Sequence, residues 1–266
     1  MSAVMPLPKD YSHDESPAQA EQVVLVTGAG KGIGLALVTL LLGDDSVTRI
    51  FAASRSPEQS RELTDLAEQD SRLELLTLDP TDPASIQQAT RQMSAPGRLD
   101  LVINTVGVLH SPSGLQPEKR LNDINFDDML LAFDVNALSM MRLAMELQPL
   151  VKGSRKPKFV SLSARVGSIE DNRLGGWYAY RASKAALNML LRTLAIEWSR
   201  SMPTITCAAL HPGTVATDLS APFTKNTRGV VFTPVEAAER ILNVIDQLDA
   251  ENNGQFIGWD GKVIPW

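Results

Sequence analysis

The chain has 266 residues, 44% of them hydrophobic and 21% charged, and a formal net charge of −6. A chain of this length can bury roughly three quarters of its unfolded surface, so it needs no metal or disulfide staple. The acidic balance without a basic run excludes nucleic acid or an anionic membrane as the main partner, and no apolar run approaches the roughly 18 residues of a membrane span.

Residues 1–21 carry Pro6, Pro8, Asp10, Asp14, Glu15 and Pro17 and no compact apolar block. They read as a disordered acidic tail rather than a signal peptide, which makes a cytoplasmic, reducing location the expectation. From residue 22 short β-rich runs alternate with longer amphipathic ones. Strands are predicted at Val23–Thr27, Arg49–Ser54, Leu73–Leu78, Leu101–Asn104, Lys158–Ser163, Thr204–Leu210 and Gln255–Ile257. Helices are predicted near 33–42, 58–68, 83–94, 125–151, 177–201 and 235–248, the third opened by Asp82 as N-cap with Pro83 behind it. Several strands are near-continuous Val, Ile and Leu, the pattern of strands covered on both faces. The alternation predicts an α/β fold, a doubly wound parallel sheet with helices on both sides. No composition break divides 22–266, so one domain is expected there.

Two irregular stretches, 108–123 and 219–233, leave the carboxyl ends of strands, where an open parallel sheet binds its ligands. Both are candidate substrate walls. The single cysteine, Cys207, lies in an apolar run and reads as a buried structural thiol. His13, His110 and His211 are too dispersed for a metal motif, and no metal is expected.

The run VVLVTGAGKGIGLAL places Gly28, Gly30, Gly32 and Gly34 after a strand and at the mouth of a helix. Glycine there allows a tight turn, close approach of backbone to a pyrophosphate, and close helix–sheet packing. The helix N-terminus adds free N–H groups and a positive dipole end. The second strand ends in Ser54 and Arg55, where an NAD-binding chain would present an acid. A guanidinium fork and a hydroxyl suit a 2′-phosphate instead, and Lys31 adds positive charge in the turn. NADP(H) is therefore preferred over NAD(H).

In YAYRASKAALNM, Tyr180 and Lys184 stand four apart, on one helical face, whereas Tyr178 faces away from Lys184. An ammonium beside a phenol is expected to move its pKa down towards working range.

With these pieces in order, the chain resembles the short-chain dehydrogenase/reductase family over residues 22–266. The matching segments are TGAGKGIG (27–34), INTVG (103–107), Asn136 within FDVNAL, FVSLSARVGSI (159–169), YRASK (180–184) and HPGTVATDL (211–219). GGWYAYRASKAALNM and the ending WDGKVIPW are similar to its carbonyl-reductase-like, C-factor-like branch. The resemblance implies a single-domain Rossmann fold, a seven-stranded sheet ordered 3-2-1-4-5-6-7, and a Ser–Tyr–Lys–Asn group. On that basis Tyr180 is the acid/base, Lys184 lowers its pKa and binds the nicotinamide ribose, and Asn136 holds a relay water. Gly28, Gly30, Lys31, Gly32, Ile33, Gly34, Ser54, Arg55, Asp79, Val106 and Gly107 would line the cofactor. Pro212, Gly213, Val215 and Thr217 would meet its nicotinamide end, and Asn104 would fasten the central strand beneath it.

The chain departs from the pattern at Ala164, which stands three residues before Gly167 where a serine is usual. Ser163 takes the serine role if the strand end re-aims it; otherwise Ser161, Ser168 or no serine serves. The connection from Ser163 to Tyr180 is longer than usual, adding loop at 170–177. Pro80 has no N–H for a backbone contact to adenine. Met129, Met140, Met141 and Met145 read as core or interface of a long helix, and the resemblance implies a homodimer or homotetramer. The expected activity is NADPH-dependent hydride transfer to a small carbonyl substrate, or from its alcohol. The alternative is an NADP-binding regulatory or signalling protein with slow turnover.

Overall fold

In a computed structural model, described for residues 21–111, 114–224 and 229–266, β1 (Gln22–Thr27) feeds directly into the glycine turn and α1 (Gly32–Leu42). There follow β2 (Val47–Ser54), α2 (Arg61–Gln69), β3 (Leu73–Thr77), α3 (Pro83–Gln92) and β4 (Leu101–Asn104). The second half runs through α4 (Phe126–Phe133), α5 (Ser139–Lys152), β5 (Lys158–Leu162), α6 (Tyr178–Ser201) and β6 (Thr206–His211). Two short strands, β7 (Thr214–Val215) and β8 (Val231–Phe232), flank α7 (Ala221–Thr224), and α8 (Pro234–Gln247) leads to β9 (Gln255–Gly258).

The main sheet is seven-stranded and parallel throughout, in the order β3-β2-β1-β4-β5-β6-β9. This is the order the resemblance implied, with β9 as the seventh strand of the sheet. β7 and β8, which pair with each other, were not foreseen. All seven strands expected from the sequence are present, with ends shifted by at most two residues.

β1 explains why its run is apolar without alternation. Val23 and Leu25 join a core with Ile86 of α3, Leu143 of α5 and Leu187 of α6, while Val24 and Val26 join one with Leu37 of α1 and Ile241 of α8. Successive side chains of a strand point to opposite faces, so each face of this sheet has its own core. The chain thus forms a single-domain Rossmann fold. Asp82 caps α3 through Ala84 N at 2.9 Å, and Thr233 with Glu236 forms a capping box at the start of α8.

The helix expected over 125–151 is interrupted. A π-helical turn, Asp134–Leu138, separates α4 from α5, and the Ser139 N–H reaches back to the Asp134 carbonyl. Of the methionines, Met140 is buried and Met141 packs against the core, but Met145 is exposed, as are Phe126 and Leu130 of α4 and Met189 of α6. Among the described residues no helix is long and apolar enough to cross a membrane. The tail expected over 1–21 lies outside the described residues except for Glu21.

Candidate active site

The strand order reverses direction between β1 and β4, and a groove of about 1800 Å³ opens over their carboxyl ends. Gly28, Gly30, Lys31, Gly32, Ile33 and Gly34 form one wall. The turn tolerates only glycine at two points. Gly28 has φ of +76°, and a Cβ there would lie 2.5 Å from Thr105 Oγ1. A Cβ on Gly34 would collide with the carbonyl oxygen of Gly28. Lys31 precedes α1 without a side-chain cap, so the first-turn N–H groups of this helix face the groove uncapped.

At the far end Ser54, Arg55, Asp79 and Pro80 line the groove, joined by Gln59 and Ser60, which sequence reasoning missed. The Ser54 hydroxyl is buried and has no hydrogen-bond partner. A buried hydroxyl of this kind, next to an exposed Arg55 and an uncapped helix end, is a receptor for a polar, anionic group. The residues present therefore fit a phosphate-bearing dinucleotide. Lys31 departs from expectation: its ammonium pairs with Asp218 at 2.6 Å across the groove. Its charge is shared with that carboxylate. Asp79 uses Oδ1 to accept from the Thr81 N–H at 2.9 Å and hydroxyl at 2.6 Å.

Beneath the groove Asn104 ties three strands together. Its Oδ1 accepts from Thr27 Oγ1 of β1 at 2.7 Å, and its Nδ2 donates to Ser161 Oγ of β5 at 3.0 Å. Val106 and Gly107 continue the groove wall, and Gly107 passes close to Lys184 Nζ.

Tyr180 and Lys184 sit in the first two turns of α6, buried, and both line the groove with Ser163. Lys184 Nζ donates to the Leu162 carbonyl at 2.9 Å and lies 6.0 Å from the centre of the Tyr180 ring. Burial pushes the Tyr180 phenol well above its ordinary value and brings Lys184 down to about 8. The expected lowering of Tyr180 by its lysine is thus reversed among the chain's own groups. Desolvation disfavours the charged form of each, and the ammonium is turned to a carbonyl rather than to the phenol.

Asn136, buried in the π-helical turn, commits both amide hydrogens: Nδ2 donates to the Val108 carbonyl and to Ser183 Oγ, each at 2.9 Å. Its Oδ1 accepts from Val108 N at 2.7 Å. Asn136 therefore clamps the segment after β4 onto the YRASK turn, and no amide hydrogen remains for a water. Ser183, unremarked in the sequence, completes that clamp by donating to the Tyr180 carbonyl at 2.9 Å.

Of the three serines considered, Ser161 accepts from Asn104 and Ser168 from Asp171 N at 3.1 Å, while Ser163 lines the groove. Ser163 lies just beyond the end of β5, outside strict strand alternation. Pro212 and Thr217 line the groove, but Val215 is turned into a small core with Phe232 and Ala237, and Gly213 packs beneath Phe232 and Trp259.

The segments after β4 and β6 form the outer wall. His110 Nε2 meets the Asp218 carbonyl at 3.0 Å. An edge-to-face row runs from His110 through Phe223 and Trp177 to Tyr180, with ring centres 5.9, 5.0 and 6.2 Å apart. Trp177 holds φ of +53°, the one non-glycine in that region among the described residues. It offers no side-chain cap to α6; Glu118, buried, does so from the other segment, its carboxylate accepting from Ala179 N at 3.2 and 3.3 Å. His211 is half-buried, its pKa brought down to about 4 chiefly by desolvation, and its Nδ1 accepts from Arg165 N. Burial pushes the Cys207 thiol up to about 12, an inert core group. Among the described residues no cluster of His, Cys, Asp or Glu could hold a metal ion.

Comparison with known proteins agrees with this geometry. The short chain dehydrogenase family model matches residues 22–228. The NADPH-bound carbonyl reductase from chicken fatty liver superposes with a TM-score of 0.82 at 31% identity, over 93% of this chain and all of that one. The carbonyl reductase Sniffer of Drosophila melanogaster gives 0.83 at 26% identity, over 92% of this chain and all of that one. C-signal of Myxococcus xanthus is 34% identical over 64% of this chain and 94% of its own length. The chain belongs to the short-chain dehydrogenase/reductase family of oxidoreductases, in its carbonyl-reductase-like branch.

Proposed function

We propose that the chain is an NADPH-dependent reductase of a ketone, aldehyde or quinone, acting in reverse as an alcohol dehydrogenase. One observation carries this reading: Tyr180 and Lys184 are buried one helical turn apart on the floor of the groove that begins at the glycine turn. The glycine turn and α1 would hold the pyrophosphate, Arg55 and Ser54 the 2′-phosphate, Asp79 the adenine, and Lys184 the nicotinamide ribose. Pro212 and Thr217 would border the nicotinamide end, braced by Gly213 and Val215 from behind. When bound, the nicotinamide supplies the hydride.

The chain's own groups supply a proton and hold the geometry. A phenol whose pKa is raised by burial stays protonated at neutral pH, so Tyr180 is poised to give its proton to the oxygen of a carbonyl being reduced. Asn136 fixes Val108 and the first turn of α6 relative to each other, and Ser163 adds a hydroxyl to the same groove. The aromatic row favours an apolar or aromatic substituent on the carbonyl. The exposed Phe126, Leu130, Met145 and Met189 on α4, α5 and α6 favour a homodimer or homotetramer, and a cytoplasmic location accompanies this reading.

A second reading rests on Ser163, whose single proton goes to Asn188, and on Ala164, which offers none. A site one donor short would turn over slowly, as a dinucleotide-binding regulatory protein could. The test is NADPH oxidation, followed by absorbance, against aldehydes, diketones and quinones. Turnover of at least one class is the expected result; tight NADPH binding without any turnover would favour the regulatory reading.

A further inference from the structure

Asn188 lies four residues after Lys184 and eight after Tyr180, on the same face of α6. It is 2% exposed and Ser163 is 4% exposed. The Ser163 hydroxyl donates to Asn188 Oδ1 at 2.7 Å, while Asn188 Nδ2 is buried without any partner. A serine hydroxyl has one proton. With that proton on Asn188, Ser163 can only accept a hydrogen bond from the groove, and it cannot donate to a carbonyl oxygen.

The two ends of a primary amide have nearly the same shape and exchange by a half-turn about the Cβ–Cγ bond. That half-turn would bring the orphaned Nδ2 to Ser163 Oγ. It would also release the serine proton towards Tyr180 and the groove. A buried donor left unpaired costs more than the half-turn, and a chain of two donors polarises cooperatively.

We infer that Asn188 is a positioning residue that sets the direction of the Ser163 proton, donating from Nδ2 to Ser163 Oγ so that Ser163 donates to the carbonyl oxygen which Tyr180 protonates. The inference rests on the reductase reading above and adds to it a residue two helical turns from Tyr180. In this arrangement Asn188 touches neither substrate nor cofactor. Its effect on the reaction passes entirely through Ser163.

The test is a double-mutant cycle, with a neutron structure of the wild-type protein. Asn188→Leu should lower kcat by roughly tenfold to a hundredfold, somewhat less than the loss of a donor itself, with KM little changed. Ser163→Ala should cost at least as much, and adding Asn188→Leu to it should cost nothing more. An equal loss from Asn188→Leu in both backgrounds would show a packing role and overturn the inference. So would full activity of Ser163→Ala beside an inactive Tyr180→Phe, an outcome that leaves the reductase reading standing. If the wild type reduces no carbonyl, it is that reading which fails, and the neutron map of the NADPH-bound protein decides the inference by itself. A deuteron from Nδ2 on Ser163 Oγ supports it; a serine deuteron on Asn188 Oδ1 overturns it.

Discussion

The two ends of the groove are built differently. At the glycine-turn end backbone predominates: glycines and a helix terminus within 27–34, with one orphaned hydroxyl at the tip of β2. At the Tyr180 end the work falls to side chains from distant parts of the chain. Asn136 meets Val108 and Ser183, Glu118 meets Ala179, and His110 meets Asp218. The first end has a core that is contiguous in sequence, the turn and helix terminus of 27–34, tied across the groove by the Lys31–Asp218 pair and packed against Thr105. The second depends on long-range contacts that single substitutions can release.

The sharpest way to break the comparison is at Gly34. Gly34→Ala drives a methyl group into the Gly28 carbonyl, so NADPH affinity should fall about a hundredfold, in line with the 1–3 kcal/mol of strained backbone. Titration by nucleotide fluorescence checks it; unchanged affinity would mean the turn is not the pyrophosphate site. Arg55→Asp should weaken NADPH roughly tenfold or more and leave NADH nearly unchanged, as expected for loss of a charged hydrogen bond. Equal effects on both nucleotides would remove the 2′-phosphate assignment.

At the other end, Glu118→Ala removes the cap that α6 receives from the segment after β4. A loss of about 1–2 kcal/mol in chemical denaturation is expected, with kcat reduced several-fold. Stability within error of the wild type would show that the first turn of α6 holds without this carboxylate.

A pH-dependent effect concerns Lys184. Its pKa is about 8 in the fold against 10.5 ordinarily, so between those pH values the unfolded chain binds a proton that the folded one has lost. Stability from this site therefore rises as pH increases through that window and is lowest below it. The difference in Tm between Lys184→Met and wild type should favour the variant most at pH 7 and shrink by a few degrees towards pH 10. A difference independent of pH would mean the lysine is not desolvated.

The same contrast explains what the sequence made legible. Strand order, the glycine turn and the Tyr180–Lys184 pair follow from local periodicity and spacing together with the family resemblance. The π-helical turn inside 125–151 was hidden because its apolar pattern continues through the insertion. The pairing of Lys31 with Asp218 was hidden because 187 residues separate them. The raised pKa of Tyr180 depends on burial from several elements at once, which a spacing of four cannot report. Ser183 and Asn188 gave no signal, being polar residues on a helix until β5 and the π-helical turn close over them.

The central claim is tested most directly by Tyr180→Phe, comparing NADPH affinity with NADPH oxidation in the presence of a carbonyl the wild type reduces. Loss of the phenolic proton should lower kcat by roughly 10²–10⁴-fold while nucleotide affinity stays within about twofold. Oxidation at the wild-type rate with the hydroxyl gone would contradict the assignment of Tyr180 as the proton donor.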